Sequence, residues 1–280
     1  LPPLPAPSKR PLLCIIDSGV DASHPDLAGL FSPDDTVSYL RGDASPADLT
    51  GHGTAVAGIV AALGNNGLQG SGVVWAGVRL ASCKFLDAFN LGATSGAIQC
   101  VRWCLSRGAK VLSNSWGGSS TPSATVREAL RQAKEAGALF VVAAGNQGQR
   151  LNDDEPTYPA RYAREFDNVI VVGSSTRQDA TQDTSNRGVD VHIMAPGEDI
   201  LTTAPGGGMA SVGGTSMAAP YVSGTAALLM SSNPDLDPVL AKRAILATAR
   251  KVESLAEDNE TGGILDVEAA LKLSLACAYA

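Results

Sequence analysis
The chain has 280 residues, 44% of them hydrophobic and 18% charged, with a formal net charge of −7. That apolar supply is enough for a large buried core and excludes a disordered chain. The acidic balance, with no Lys/Arg cluster, excludes a nucleic-acid binder, and the longest apolar runs, such as residues 138–144, are too short to cross a bilayer. In chain order, residues 1–11 (LPPLPAPSKRP) carry five prolines. They are predicted to be an extended linker, because a signal peptide needs a continuous apolar segment. A mature chain cut from a precursor is expected to begin this way. From residue 12 to residue 280 one domain is expected. Strands are predicted at 12–16, 80–85, 111–115, 139–143 and 169–173. They are continuous apolar runs, which suits strands covered on both faces. Helices are predicted at 54–63, 94–107, 123–136, 216–231 and 238–248, several closed by a glycine stop such as Gly64, Gly108 or Gly137. Strands alternating with helices predict an α/β fold: a mostly parallel central sheet with helices on both faces.

There are five cysteines, and an odd number excludes complete internal pairing. Cys14 and Cys83 lie in apolar strand runs, where buried free thiols are expected. Cys100 and Cys104 lie four apart on a helix, with no second pair spaced for zinc.

In a parallel sheet, ligands bind outside the carboxyl ends of the strands. Four polar residues fall there. Asp17 ends the first strand. His52 stands in Gly51-His52-Gly53 just before a helix, and Asn146 follows the strand at 139–143. Ser216 opens the last long apolar helix. Each has an ordinary use as a turn residue or helix cap, but together they supply a nucleophile, a base, a carboxylate to orient the base and an amide donor for an oxyanion. The base is one of His24, His52 and His192; His24 is followed by a proline in a loop, His192 lies in a strand-like run, and only His52 is flanked by glycines. Other signatures fail. GTSMA lacks the second glycine of a G-x-S-x-G elbow, and there is no H-E-x-x-H zinc helix or P-loop.

The order Asp, His, Ser, with Asn between His and Ser, resembles that of the subtilisin-like serine proteases. So do six segments in the family's order: IIDSGVDASHPDL, GHGTAVAGIVAAL, SNSWGG, VVAAGN, IMAPG and GTSMAAPYVSGTAALL. The resemblance spans roughly residues 12–270 and implies a three-layer subtilisin-like fold and a serine endopeptidase matured from a zymogen, with its own propeptide as inhibitor and a secretory route. It implies that Ser216 attacks the scissile carbonyl, His52 shuttles the proton, Asp17 holds the imidazole, and Asn146 with the Ser216 N–H holds the oxyanion. Gly214, Ala218 and Ala219 are expected to give a peptide clearance, and Pro220 to sit in the first helical turn.

An extended polypeptide substrate is expected to pair with Ser115-Trp116-Gly117 and with Leu91-Gly92. The first specificity pocket is expected between 115–117 and Ala143-Ala144-Gly145, its floor near Thr157. Thr157 shortens it in favour of a medium-sized uncharged side chain; the acidic run 153–155 is the feature that would favour a basic one. The resemblance also implies structural calcium, held by Asp26 and Asn66 side chains and the carbonyls of Leu63, Leu68 and Gly70, and no organic cofactor. The alternatives to a protease are a silent binding module of the same fold and a peptide ligase using the same acyl-enzyme.

Overall fold
The computed structural model describes residue 6 and residues 9–68, 70–74, 76–152 and 156–278. The linker expected at 1–11 falls largely outside these residues. The acidic run 153–155 and the side chain of Cys277 lie outside them too. In chain order the elements are β1 (Leu12–Asp17), β2 (Phe31–Ser38), α1 (His52–Ala61), β3 (Arg79–Lys84), α2 (Thr94–Ser106), β4 (Ala109–Asn114), α3 (Ala124–Glu135), β5 (Leu139–Ala143), β6 (Arg150–Leu151) and β7 (Val169–Ser175). There follow β8 (Arg187–Gly188), β9 (Ile193–Pro196), β10 (Ile200–Ala204), β11 (Gly208–Val212), α4 (Thr215–Ser232), α5 (Pro238–Ala247), β12 (Arg250–Lys251), β13 (Gly263–Ile264) and α6 (Val267–Ala278).

Among the described residues the main sheet has nine strands in the order β12-β13-β9-β7-β5-β4-β1-β3-β2. Every pairing is parallel except β12 with β13 at the edge. The expected α/β architecture is present. Side chains alternate across each strand. Leu13 and Ile15 join one core with Val111, Val141, Val172 and the α1 and α4 residues Val56, Val60 and Val222. Leu12, Cys14 and Ile16 join the other with Leu112, Val142 and the α2 and α3 residues Val101 and Leu130. This two-sided burial is why the strands read as unbroken apolar runs.

Helix α1 begins two residues earlier than its apolar pattern, at His52, and ends at Ala61 rather than Leu63. Gly108 and Gly137, with φ of +80° and +63°, are real helix stops. Gly64 is not, because Leu63 has already left the helix to donate its N–H to the Asp26 carbonyl.

The thiol expectation is corrected. Cys14 pairs with Cys104 and Cys83 with Cys100. The β1–β3 register sets Ile16 opposite Cys83 and Ala81 opposite Cys14, so both cysteines face α2 from adjacent strands. The four-residue spacing of Cys100 and Cys104 puts both on the helix face that meets them.

Candidate active site
Because the strands are parallel, their carboxyl ends share one edge, and the four residues singled out by chemistry gather there. Asp17 closes β1 and is fully buried. Its Oδ1 lies 2.7 Å from Nδ1 of His52, the first residue of α1, and also accepts the Ser18 N–H at 2.7 Å. Among the described residues its Oδ2 has no hydrogen-bond partner. The Nδ1 contact leaves Nε2 of His52 as the free proton acceptor. Burial favours the neutral imidazole, but the Asp17 charge and hydrogen bond, with Asp48 adding to them, outweigh burial and raise the His52 pKa above its ordinary 6.5.

Ser216 is the second residue of α4. Its Oγ donates to the Ser115 carbonyl at 3.1 Å, and Ser115 Oγ donates back to the Ser216 carbonyl at 2.8 Å. Pro220 explains the second bond. It is the sixth residue of α4, in the second turn rather than the expected first, and it removes the N–H that would satisfy the Ser216 carbonyl. Ser115 supplies the replacement donor.

Asn146 follows β5. Its Oδ1 accepts the Thr215 N–H and hydroxyl, both at 2.9 Å. The carboxamide is thereby turned so that its NH2 is the end left free. Thr215 is a residue the sequence reading passed over; a hydroxyl directly before the candidate nucleophile was the available signal. Gly214 has φ of +118°, and a Cβ there would come within 3.2 Å of the Asn146 side chain. Its clearance is for that amide. Ala218 and Ala219 are fully buried in the core against the sheet, so they too are not clearance for a peptide.

His52, Ser115, Trp116, Gly117, Ala143, Gly145, Asn146 and Ser216 all line one cavity of about 220 Å³. Three larger hollows among the described residues are lined by other groups. Two expected pocket residues lie elsewhere. Ala144 is fully buried in the core facing α2 and α3, as strand alternation dictates. Thr157 is 7% exposed and is not part of this cavity's lining. Among the described residues no hydrogen bond uses the main chain of Trp116 or Gly117. Leu91 instead commits both main-chain groups to Asp87, its carbonyl accepting the Asp87 N–H and its N–H donating to Asp87 Oδ1. On that side the free main chain belongs to Gly92.

The calcium expectation meets donors where a cation needs oxygens. Asp26 is buried, and its Oδ1 accepts from Asn66 Nδ2 at 2.7 Å and its Oδ2 from the Gly70 N–H at 3.1 Å. Asn66 Oδ1 is taken by the Leu68 N–H, and the Leu63 N–H donates to the main-chain carbonyl of Asp26 at 2.9 Å. These donors occupy the side-chain oxygens that the expectation assigned to a cation. Among the described residues no three His, Cys, Asp or Glu side chains converge as metal ligands.

The sequence profile of the Subtilase family matches residues 8–263. The chain belongs to the subtilase family. This subtilase is 35% identical to Subtilisin DY of Bacillus licheniformis over 91% of its own length and 89% of that protein. It is 36% identical to Subtilisin BL of Lederbergia lenta, over 93% and 90%, and 36% identical to the alkaline protease of Alkalihalobacillus alcalophilus, over 93% of this chain and 64% of that one. It is a hydrolase, a serine endopeptidase. Its substrates are peptides, and among the described residues no helix is long and apolar enough to cross a membrane.

Proposed function
We propose that this subtilase cleaves peptide bonds through Ser216, His52 and Asp17, with Asn146 and the Ser216 N–H holding the oxyanion. The observation that carries the reading is the 2.7 Å contact between His52 and a fully buried Asp17, in a cavity shared with Ser216 and Asn146. A substrate strand lies along 115–117 and Gly92. Its scissile carbonyl approaches Ser216, whose hydroxyl turns from the Ser115 carbonyl toward His52 Nε2. His52 takes the proton as the Oγ–carbon bond forms and returns it to the leaving amine as the peptide bond breaks. Asp17 keeps the proton of Nδ1 in place and stabilises the imidazolium. Charge growing on the carbonyl oxygen meets the Asn146 NH2, already oriented by Thr215. Water, deprotonated by the same imidazole, then releases the acyl group.

A medium-sized uncharged side chain before the cut is the reading kept for the pocket, whose volume is about 220 Å³. Two buried disulfides suit an oxidising compartment, in keeping with a secreted protein matured from a zymogen that its own propeptide inhibits. The Asp26 loop is read as closed by its own N–H donors, with no need of calcium. The deciding experiment is labelling with a serine-directed fluorophosphonate alongside peptide turnover. Wild type labels and turns over; Ser216→Ala does neither. Equal labelling of the two proteins defeats the assignment.

A further inference from the structure
A second carboxylate stands behind the base. Asp48 lies four residues before His52, is 9% exposed, and accepts only from uncharged donors. Its Oδ1 takes the Ser18 hydroxyl at 2.9 Å and the N–H groups of Thr50 and Gly51, each at 3.0 Å. Its Oδ2 takes the Thr54 N–H at 2.8 Å and the Thr54 hydroxyl at 2.6 Å. Among the described residues no cation pairs with it. The buried Lys84 ammonium grips the chain just before it, at Asp43 Oδ2 and the Ala47 carbonyl. All five of the groups named here donate, so an amide in either orientation would aim its NH2 at donors. The position calls for a carboxylate.

We propose that Asp48 is a positioning residue for the reaction: its carboxylate locks the end of β1 to the start of α1 and supplies the negative charge that keeps His52 basic at a helix N-terminus. The proposal rests on His52 being the base. The lock is direct. Ser18, next to Asp17, donates to Asp48 and accepts the Gly53 N–H at 2.9 Å, so one hydroxyl ties the residue after the orienting carboxylate to the residue after the base. The Thr50 hydroxyl accepts the His52 N–H at 3.1 Å. The electrostatic part follows from where His52 stands. The free N–H groups of a first helical turn carry partial positive charge and oppose an imidazolium. Gly51, the N-cap, has no side chain with which to answer them. Asp48 does so from outside the helix, binding the N–H groups of Gly51 and Thr54. The charges acting on the imidazole are Asp17 from β1 and Asp48 from this loop. Asp87, on the facing loop, turns its carboxylate onto the N–H groups of Phe89 and Leu91.

The test compares Asp48→Asn with Thr54→Val, each assayed on a peptide substrate across pH and normalised to titrated active sites. Asp48→Asn is expected to move the acidic midpoint of kcat/KM down by roughly half a pH unit and to lower kcat while KM changes by less than about twofold. Thr54→Val removes one donor but keeps the charge; it lowers the melting temperature and leaves the midpoint in place. Asp48→Ser, which leaves room for water to take up the orphaned donors, carries the same test should the amide variant not fold. An unmoved midpoint in the charge-removing variants overturns the proposal, and so does an equal shift in Thr54→Val. Ser216→Ala, run beside them, separates the two readings: full turnover there removes the triad assignment itself, whereas a dead Ser216→Ala with an unmoved midpoint removes only the role of Asp48.

Discussion

The two disulfides close loops of very different length, and that difference gives a prediction with a sign and a size. Cys14–Cys104 spans 90 residues and encloses Cys83–Cys100, which spans 17. If a cross-link acts by restricting the unfolded chain, the cost of removing it grows with the logarithm of the loop. The same relation gives about 4.5 kcal/mol for the long loop and about 3 kcal/mol for the short one. With an unfolding entropy of about 2.1 cal/mol/K per residue over the 280 residues of the chain, these become losses of about 8 °C and about 5 °C in Tm. All four sulfurs are buried in the same core, so the packing lost on changing a pair to alanine is similar and largely cancels in the comparison. The assay is calorimetric melting of Cys14→Ala/Cys104→Ala and Cys83→Ala/Cys100→Ala, each in a Ser216→Ala background to prevent self-digestion. The long-loop variant should melt lower. If the short-loop variant loses as much or more, the loop-entropy reasoning is refuted for this fold.

Three further outcomes follow from the charges and donors described above. As the proposed base His52 must be neutral, and its pKa is raised above the ordinary 6.5, so kcat/KM should fall in acid with a midpoint above 6.5; a pH profile with its midpoint at or below that value contradicts the His52–Asp17 pairing. Excess chelator should leave the melting temperature of wild type unchanged, whereas Asp26→Asn should lower it, because the Asn66 and Gly70 donors lose their acceptor; a large chelator effect would restore the calcium reading. Burial pulls Lys242 down to about 8, against the opposing charges of Glu260 and Asp167. Between there and its ordinary 10.5 the unfolded chain holds the extra proton, so this group makes stability rise with pH across that window. In the Ser216→Ala background, Tm should climb more steeply from pH 8 to 10 with Lys242 present than in Lys242→Met; parallel curves would count against the depressed lysine.

Much of this was legible in the residues. The inner strands announced themselves because both faces are covered, so every position had to be apolar. Asp17, His52, Asn146 and Ser216 were readable because a parallel sheet puts the ends of its strands on one edge. What escaped the reading has physical causes. The two-residue strands β6, β8, β12 and β13 are too short to carry a period. The disulfides hid because Cys14 and Cys83 occupy positions any aliphatic residue suits, and only strand register brings them to one helix. Thr215, Ser18 and Asp48 are small polar residues whose role lies in partners up to tens of residues away. Leu91 and Ala144 fall away from the cavity because a motif marks a segment, whereas alternation and local turns decide which of its residues turn their groups outward.

Helix α4 carries a broader consequence. It packs against α1, β1, β4, β5, β7 and β9, and most of it is buried, yet it delivers Ser216 at its first turn. Ser216 is therefore seated by the middle of the molecule rather than by a peripheral loop. The other groups of the proposed site come from residues 17, 52 and 146, far from it in sequence, so only the packed core brings the four together. Turnover of the proposed site thus reports on the packing of the whole core at once.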